Sequence, residues 1–471
     1  MVHSARVETV SGSRSPEESS TRRRVASRRF VWLLLLISVI GLGVRIGFAA
    51  VEGDRSATIG DAEFYYHAAL QLADGHGYVR IEDDNGARQN LPTAQHPPVF
   101  AYLLSIPARL GLRSLFSLEV VSSVIGAVGV AAIGVLGRKV GGSDATGLVA
   151  ASLAAGYPML FQPAALLFSE PLFILFVTLI LLLAYRLLTP SRVGWWWLLG
   201  ALIGIASLTR AEGALLVPLL AWPLAWRLAG PFRARIVPLM AATLAAAIVI
   251  IPWTVRNASE FGTFVPISTN ATLALAGANC RDVYHGSAIG SWDLFCVYAD
   301  ARKTAASATT PIDAEHSEAE RYRQWSEFGL EYAGDHLSRL PVVVLARVLR
   351  TWNLWDTGPM LYYDTHDSGV RDVQMAGYVM VWVMLPFALY GFLLLRRRRT
   401  PVWLLMVPVG IVMLTTIVFH GSTRGRAGAE ATVLVLVAVG AVELWRRLRS
   451  RSLRQGEPDS STSKNAAPVA S

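Results

Sequence analysis

A short run of acidic, aromatic and glycine residues carries the clearest chemistry in this chain: Gly60-Asp61-Ala62-Glu63-Phe64-Tyr65-Tyr66, then Gly75, Gly77 and Tyr78, then His96-Pro97-Pro98. A carboxylate within hydrogen-bond reach of a hydroxyl can take its proton as the oxygen attacks, which makes Asp61 a candidate general base. Its plainer role is a helix N-cap accepting from backbone amides. Further along stand Ser169-Glu170-Pro171, Thr209-Arg210-Ala211-Glu212-Gly213, Pro252-Trp253-Thr254-Val255-Arg256-Asn257 and Ser422-Thr423-Arg424-Gly425-Arg426. A guanidinium is always charged and offers a bidentate fork to anionic oxygens, so Arg210, Arg256, Arg424 and Arg426 are candidates for holding an anion.

Each of these has a plainer alternative. Ser169-Glu170-Pro171 is an ordinary helix start, with a capping serine, a dipole-favoured acid and an early proline. Arg210 and Glu212 are two apart, so on a helix they point differently and need not pair. Arg426 and Glu430 are four apart and suit an ion pair, whereas Arg424 lacks so obvious a partner. Arg256 beside Trp253 suits an interface anchor. His96 ahead of two prolines reads as loop-shaping, since no second histidine or acid sits at ligand spacing nearby. Tyr65, Tyr66 and Trp292 can stack on sugar faces or simply pack at a membrane surface.

The elements that must position these residues are helices in a bilayer. The chain has 471 residues, 53% hydrophobic and only 16% charged, and a mean hydropathy of +0.41, too apolar for a soluble domain of this length. A helix needs roughly 20 apolar residues to cross hydrocarbon. By that rule spans fall near 30–50, 115–137, 144–162, 170–188, 193–209, 213–229, 235–254, 375–395, 401–420 and 427–446, about ten in all. The net charge of +9 excludes little by itself, but the positive residues form short clusters at the ends of apolar runs. That is a topology signal and not a nucleic-acid footprint.

With the basic N-terminus in the cytoplasm, Arg138, Lys139, Arg186, Arg192, Arg227, Arg233, Arg235, Arg396 to Arg399 and Arg446 to Arg451 all fall inside. Both termini are then cytoplasmic, in a multi-pass protein of the plasma membrane. The first apolar run follows Arg22 to Arg24 and is too long for a signal-peptide core, so it reads as a retained anchor.

The division that follows is a basic disordered tail over 1–29, a transmembrane core over 30–255 with a first outer loop at 51–114, and a second outer loop at 256–374. Final spans occupy 375–446 and a disordered tail 447–471. Within the loops, Glu63 to Leu72, Pro98 to Leu112 and Leu340 to Trp355 read as helices lying at the membrane surface. The two cysteines, Cys280 and Cys296, both fall in the second outer loop, where an exported pair suggests a disulfide.

Taken in order, and all on one membrane side, these motifs resemble the GT-C fold membrane glycosyltransferases, specifically the family 39-like group that includes protein O-mannosyltransferases and the aminoarabinose transferases of lipid A. The resemblance implies an all-α integral membrane protein with two long extracytoplasmic loops. It makes Asp61 the catalytic base of an inverting hexosyl- or pentosyltransferase. The implied donor is a polyprenyl-phosphate sugar, transferred to an extracytoplasmic acceptor such as an envelope glycan, lipid or protein. Glu170, Arg210, Arg256, Arg424, Arg426, Tyr65, Tyr66 and His96 are the implied binding residues. The chain departs from the pattern at Ala62, which replaces a second acid, so a bound divalent metal is possible but a metal-binding acid pair is disfavoured. The rival is a transporter or flippase of a lipid-linked sugar, which needs charged groups near the bilayer midplane and broken helices in matching halves. A scaffold binding an envelope partner is a third reading.

Overall fold

The computed structural model describes residues 16–56, 60–84, 87–293, 295–296, 317–358, 360–362 and 370–455. Residues 1–15 and 456–471, the greater part of the two expected tails, lie outside the described residues. Every one of the ten apolar segments is helical. Six helices are long and apolar enough to cross a bilayer: α1 (Pro16–Ser56), α4 (Leu115–Gly141), α7 (Glu170–Leu187), α10 (Phe232–Phe261), α15 (Arg371–Arg397) and α17 (Ala427–Gln455).

A further apolar pair is bent. α5 (Asp144–Gly156) and α6 (Pro158–Ala165) meet at a bend of 53°. Pro158 disfavours helix for Tyr157 before it, and Tyr157 is extended, so the continuous span expected over 144–162 divides there. The remaining three, α8 (Gly194–Ser207), α9 (Ala211–Trp226) and α16 (Trp403–Val418), are apolar but shorter. α9 starts as a 3-10 turn and includes a π-helical stretch at Val217–Ala221.

Between α1 and α4 the chain forms α2 (Asp61–Ala73), a β-hairpin and α3 (Val99–Arg109). The hairpin pairs β1 (Val79–Asp84) with β2 (Ala87–Pro92), antiparallel, with Val79 opposite Pro92. It is an exception to the all-helical expectation. Helices form where Glu63 to Leu72 and Pro98 to Leu112 were expected to be helical, and Tyr102 and Ile106 of α3 are exposed, as is Leu110 just beyond its end. Between α10 and α15 lie α11 (Asn270–Gly277), α12 (Arg281–Tyr284), α13 (Glu318–Asp335) and α14 (Leu340–Thr351).

Small residues set how closely the spans approach, as expected where lipid removes the hydrophobic drive between helices. A Cβ at Gly391 of α15 would lie 2.0 Å from the Leu436 carbonyl oxygen of α17, and one at Gly440 of α17 would lie 2.3 Å from the Phe387 oxygen of α15. Gly200 of α8 meets Ala242 of α10 in the same way. The arginine-bearing helix ends meet in separate contacts: Arg138 lies over Phe30 and bonds Asp144, Arg186 lies over Trp195, Arg227 over Trp403, and Arg398 bonds Glu443.

Because Gly391 and Gly440 face the partner's backbone, which cannot move aside, Gly391→Leu is expected to force the two helices apart. The cost expected of such overpacking is about 1–3 kcal/mol. It should appear as a lowered melting temperature in detergent, while Gly410→Leu, whose Cβ position is open, should leave the melt unchanged.

Candidate active site

Three distant parts of the chain meet at one point. Gly60 at φ 83° occupies the N-cap of α2, which makes Asp61 the first helical residue and not the cap. No side-chain capping bond forms there. The carboxylate instead accepts from Arg424 Nη2 at 2.5 Å through Oδ2, and its Oδ1 lies 3.4 Å from His96 Nε2. The N-cap reading is therefore displaced by a tertiary contact across 363 residues.

Glu170, the first residue of α7, is buried, and its Oε1 accepts from Arg424 Nε at 3.0 Å and from Arg210 Nη1 at 3.0 Å. Its Oε2 is buried with no partner among the described residues. The approach to Glu170 is strained: Leu167, fully buried, sits at φ 61°, a conformation unfavourable to a branched residue. That turn places Phe168 under Arg424, whose guanidinium carbon lies 4.2 Å from the ring centroid. A cation on an aromatic face is attracted by the ring quadrupole.

Arg210 also donates from Nε to Glu212 Oε1 at 2.6 Å. The two-residue spacing argued against this pairing only on the premise of an α-helix. Arg210 is extended (φ −147°, ψ 128°) and Ala211–Leu215 is a 3-10 turn, so the side chains converge. Arg424 likewise corrects expectation: its acidic partners exist but lie far away in sequence.

Aromatics wall the cluster. Tyr65, one turn after Asp61, is buried with its ring against His96 and Phe100 and its hydroxyl on Ser169. Burial would raise the Asp61 carboxyl, but the charge of Arg424, that of His96 when the imidazole is protonated in acid, and the Arg424 hydrogen bond outweigh it and hold the group well below the usual carboxylate range. Burial lowers His96 below its ordinary value against the opposing pull of Asp61, so the imidazole is neutral at pH 7. Burial raises the Tyr65 phenol.

The other residues singled out go elsewhere. Tyr66 donates to the Arg113 carbonyl. Arg256 donates to the Thr93 and Tyr78 carbonyls at 2.8 Å and lies 5.0 Å from the Trp253 ring, which ties the first outer loop to α10 and leaves its donors engaged. Arg426 is buried and bonds Glu430, the Thr351 carbonyl, Asn353 and the Tyr157 hydroxyl, the structural ion pair its spacing suggests. Cys280 and Cys296 are joined, with Cα atoms 6.3 Å apart.

Sequence reasoning passed over His420, four residues before Arg424. Its Nδ1 is buried without a partner among the described residues, and its ring lies 6.2 Å from that of Trp292. The signal was there, a lone histidine beside Ser422-Thr423-Arg424, but nothing in the spacing marked it.

No group of three or more histidine, cysteine, aspartate or glutamate side chains is gathered as for a metal among the described residues. Between Asp61 and Glu170, where a cation would bridge the acids, the Arg424 guanidinium lies instead.

Residues 95–255 match the family model for dolichyl-phosphate-mannose-protein mannosyltransferase, a segment holding His96, Glu170 and Arg210 but neither Asp61 nor Arg424. No curated protein matches the chain. Among solved structures it is similar to the archaeal oligosaccharyltransferase AglB of Archaeoglobus fulgidus in complex with an inhibitory peptide and a dolichol-phosphate: TM-score 0.53, 16% identity, 94% of this chain and 52% of that one. A second structure of that enzyme, in complex with zinc and sulfate, gives TM-score 0.51 at 15% identity over 89% of this chain and 50% of that one. ArnT of Cupriavidus metallidurans bound to undecaprenyl phosphate gives 0.42 at 13%, over 91% and 80%. The chain spans about half the length of the oligosaccharyltransferases it matches. The architecture is that of the GT-C membrane glycosyltransferases, as the sequence motifs imply.

The depressed Asp61 pKa gives a pH test with a defined sign. A carboxyl stabilised as the anion contributes above its unfolded value, about 3.9, and the contribution fades as pH falls through the folded value. Asp61→Asn is expected to lower the melting temperature by a constant amount from about pH 8 to pH 5, with the gap closing only below about pH 4.

Proposed function

We propose that this protein is an inverting glycosyltransferase that moves a hexosyl or pentosyl unit from a polyprenyl-phosphate carrier to an acceptor outside the cytoplasm. The observation that carries the proposal is the meeting of Asp61 and Arg424 at 2.5 Å, a candidate base beside a candidate phosphate ligand, drawn from opposite ends of the chain. The GT-C architecture and the match of residues 95–255 support the class of reaction. The AglB complex contains a dolichol-phosphate, which accords with a lipid-phosphate donor here.

The acceptor hydroxyl gives its proton to the Asp61 carboxylate while its oxygen forms a bond to the anomeric carbon. The bond from that carbon to the phosphate oxygen breaks on the opposite face, and the electron pair leaves with the carrier as its monophosphate. Arg424 and Arg210 neutralise the charge that develops on the leaving group, which is a large part of catalysis in a site recessed from water. Tyr65 and His96 wall the acceptor side.

Arginines at helix ends pair with neighbouring helix ends, and their positions in the sequence support one cytoplasmic face carrying both termini, with Asp61 and Arg424 opposite. The two outer loops then cover the site in a multi-pass membrane protein.

Asp61→Asn is expected to lower sugar transfer from radiolabelled polyprenyl-phosphate sugars by about 10²–10⁴-fold, the usual contribution of a positioned base, with expression and membrane insertion unchanged. Full activity in that variant removes Asp61 as the base. Arg424→Gln is expected to depress transfer as strongly, and Arg256→Gln to act through stability, with a lowered melt and residual transfer.

A further inference from the structure

The bonds that join Asp61, Glu170, Glu212, Arg210 and Arg424 link three carboxylates to two guanidiniums. With His96 neutral, that network is short of positive charge before any anionic donor arrives. The side of the Arg424 guanidinium carrying Nε and Nη2, one of the edges that could meet a phosphate bidentately, is taken by the carboxylates of Glu170 and Asp61. Resting on the donor reading above, we infer that Arg424 is a shared residue: the donor phosphate takes it from Asp61, and that exchange frees Asp61 to act as the base.

The two carboxylates are unequal in what they lose when Arg424 turns away. The Glu170 side chain is 2% exposed but keeps Arg210 on the same oxygen at 3.0 Å. Asp61 is 31% exposed, so water can replace the lost donor, and no other guanidinium bonds it among the described residues. A buried carboxylate stripped of its only cation is costly, and the arrangement avoids that at Glu170 while making Asp61 the one released.

Release also changes what Asp61 can do. Bound to Arg424, the carboxylate holds its proton weakly and is a poor acceptor. With the guanidinium on phosphate it returns toward the ordinary carboxylate range and accepts a proton more readily. Base strength therefore rises only when the leaving group is in place, which keeps the site from activating a hydroxyl with no donor bound.

The test is equilibrium binding of undecaprenyl phosphate to the purified full chain in detergent, followed by native mass spectrometry. Removing the competitor for Arg424 should tighten binding, so D61N is expected to bind at least about fivefold more tightly than wild type while losing transfer. E212Q deletes the same charge without touching Arg424 and should tighten binding less. The decisive comparison is a double-mutant cycle: in an R424Q background, D61N should give no gain. D61S serves as a second variant should D61N melt early.

A wild-type protein that does not bind the carrier phosphate overturns the donor reading and this inference with it. Wild-type binding without a gain in D61N or D61S, or a gain that persists with R424Q, overturns the sharing of Arg424 alone and leaves the donor reading standing.

Discussion

One guanidinium holds this site together. Arg424 reaches Asp61 at the start of α2 and Glu170 at the start of α7, so the segment between α1 and α4, a mid-chain helix and the start of the last helix are fixed to one another by a single planar group. Its geometry suits the task because the fork presents adjacent donors in a fixed plane, which a lysine ammonium cannot do. Around it the protein has arranged compensation. Arg210 secures the buried Glu170, Phe168 supports the cation from below, and the strained turn at Leu167 sets both in place.

The segment carrying Arg424 is anchored by the chain between α10 and α15 as well. The Gly421 amide donates to the Gly290 carbonyl in that segment, and Arg347 of α14 donates to the Ile417 carbonyl. A Cβ at Gly421 would lie 2.2 Å from the Arg347 carbonyl oxygen, so only glycine permits this approach. Gly290 lies within the loop closed by Cys280 and Cys296. The disulfide thus bears on the position of Arg424 through a short chain of backbone contacts.

The sequence revealed the membrane class and where the spans fall, because apolar runs bounded by arginines are a one-dimensional signal. It revealed the types of group at the site for a similar reason: charged residues at the mouths of apolar helices are few. What it could not show was pairing. Arg424 looked unpartnered because helical spacing reveals only neighbours three or four residues away, while its acids lie 254 and 363 residues off. Arg210 and Glu212 looked unable to pair because a helix was assumed where the chain is extended. Arg426 was the exception, because Glu430 stands four residues on and does pair with it, while the tie of Arg256 to the Thr93 and Tyr78 carbonyls lies beyond any local spacing. The hairpin at 79–92 was missed although Val79-Arg80-Ile81-Glu82 alternates and Asn85-Gly86 is a favoured two-residue turn pair, because the alternation lasts only four residues before a polar run.

The order in which the chain is made gives the Asp61–Arg424 contact a further meaning. Asp61 enters the membrane with the first span, and the cation that pairs with it arrives only with the last. A polypeptide that stalls or is cut before residue 424 carries Asp61 without that counterion, and α7 begins with a buried carboxylate held by one arginine instead of two. Assembly of the candidate site therefore waits on synthesis of the last long helix, and a truncated chain lacks the contact that joins its parts.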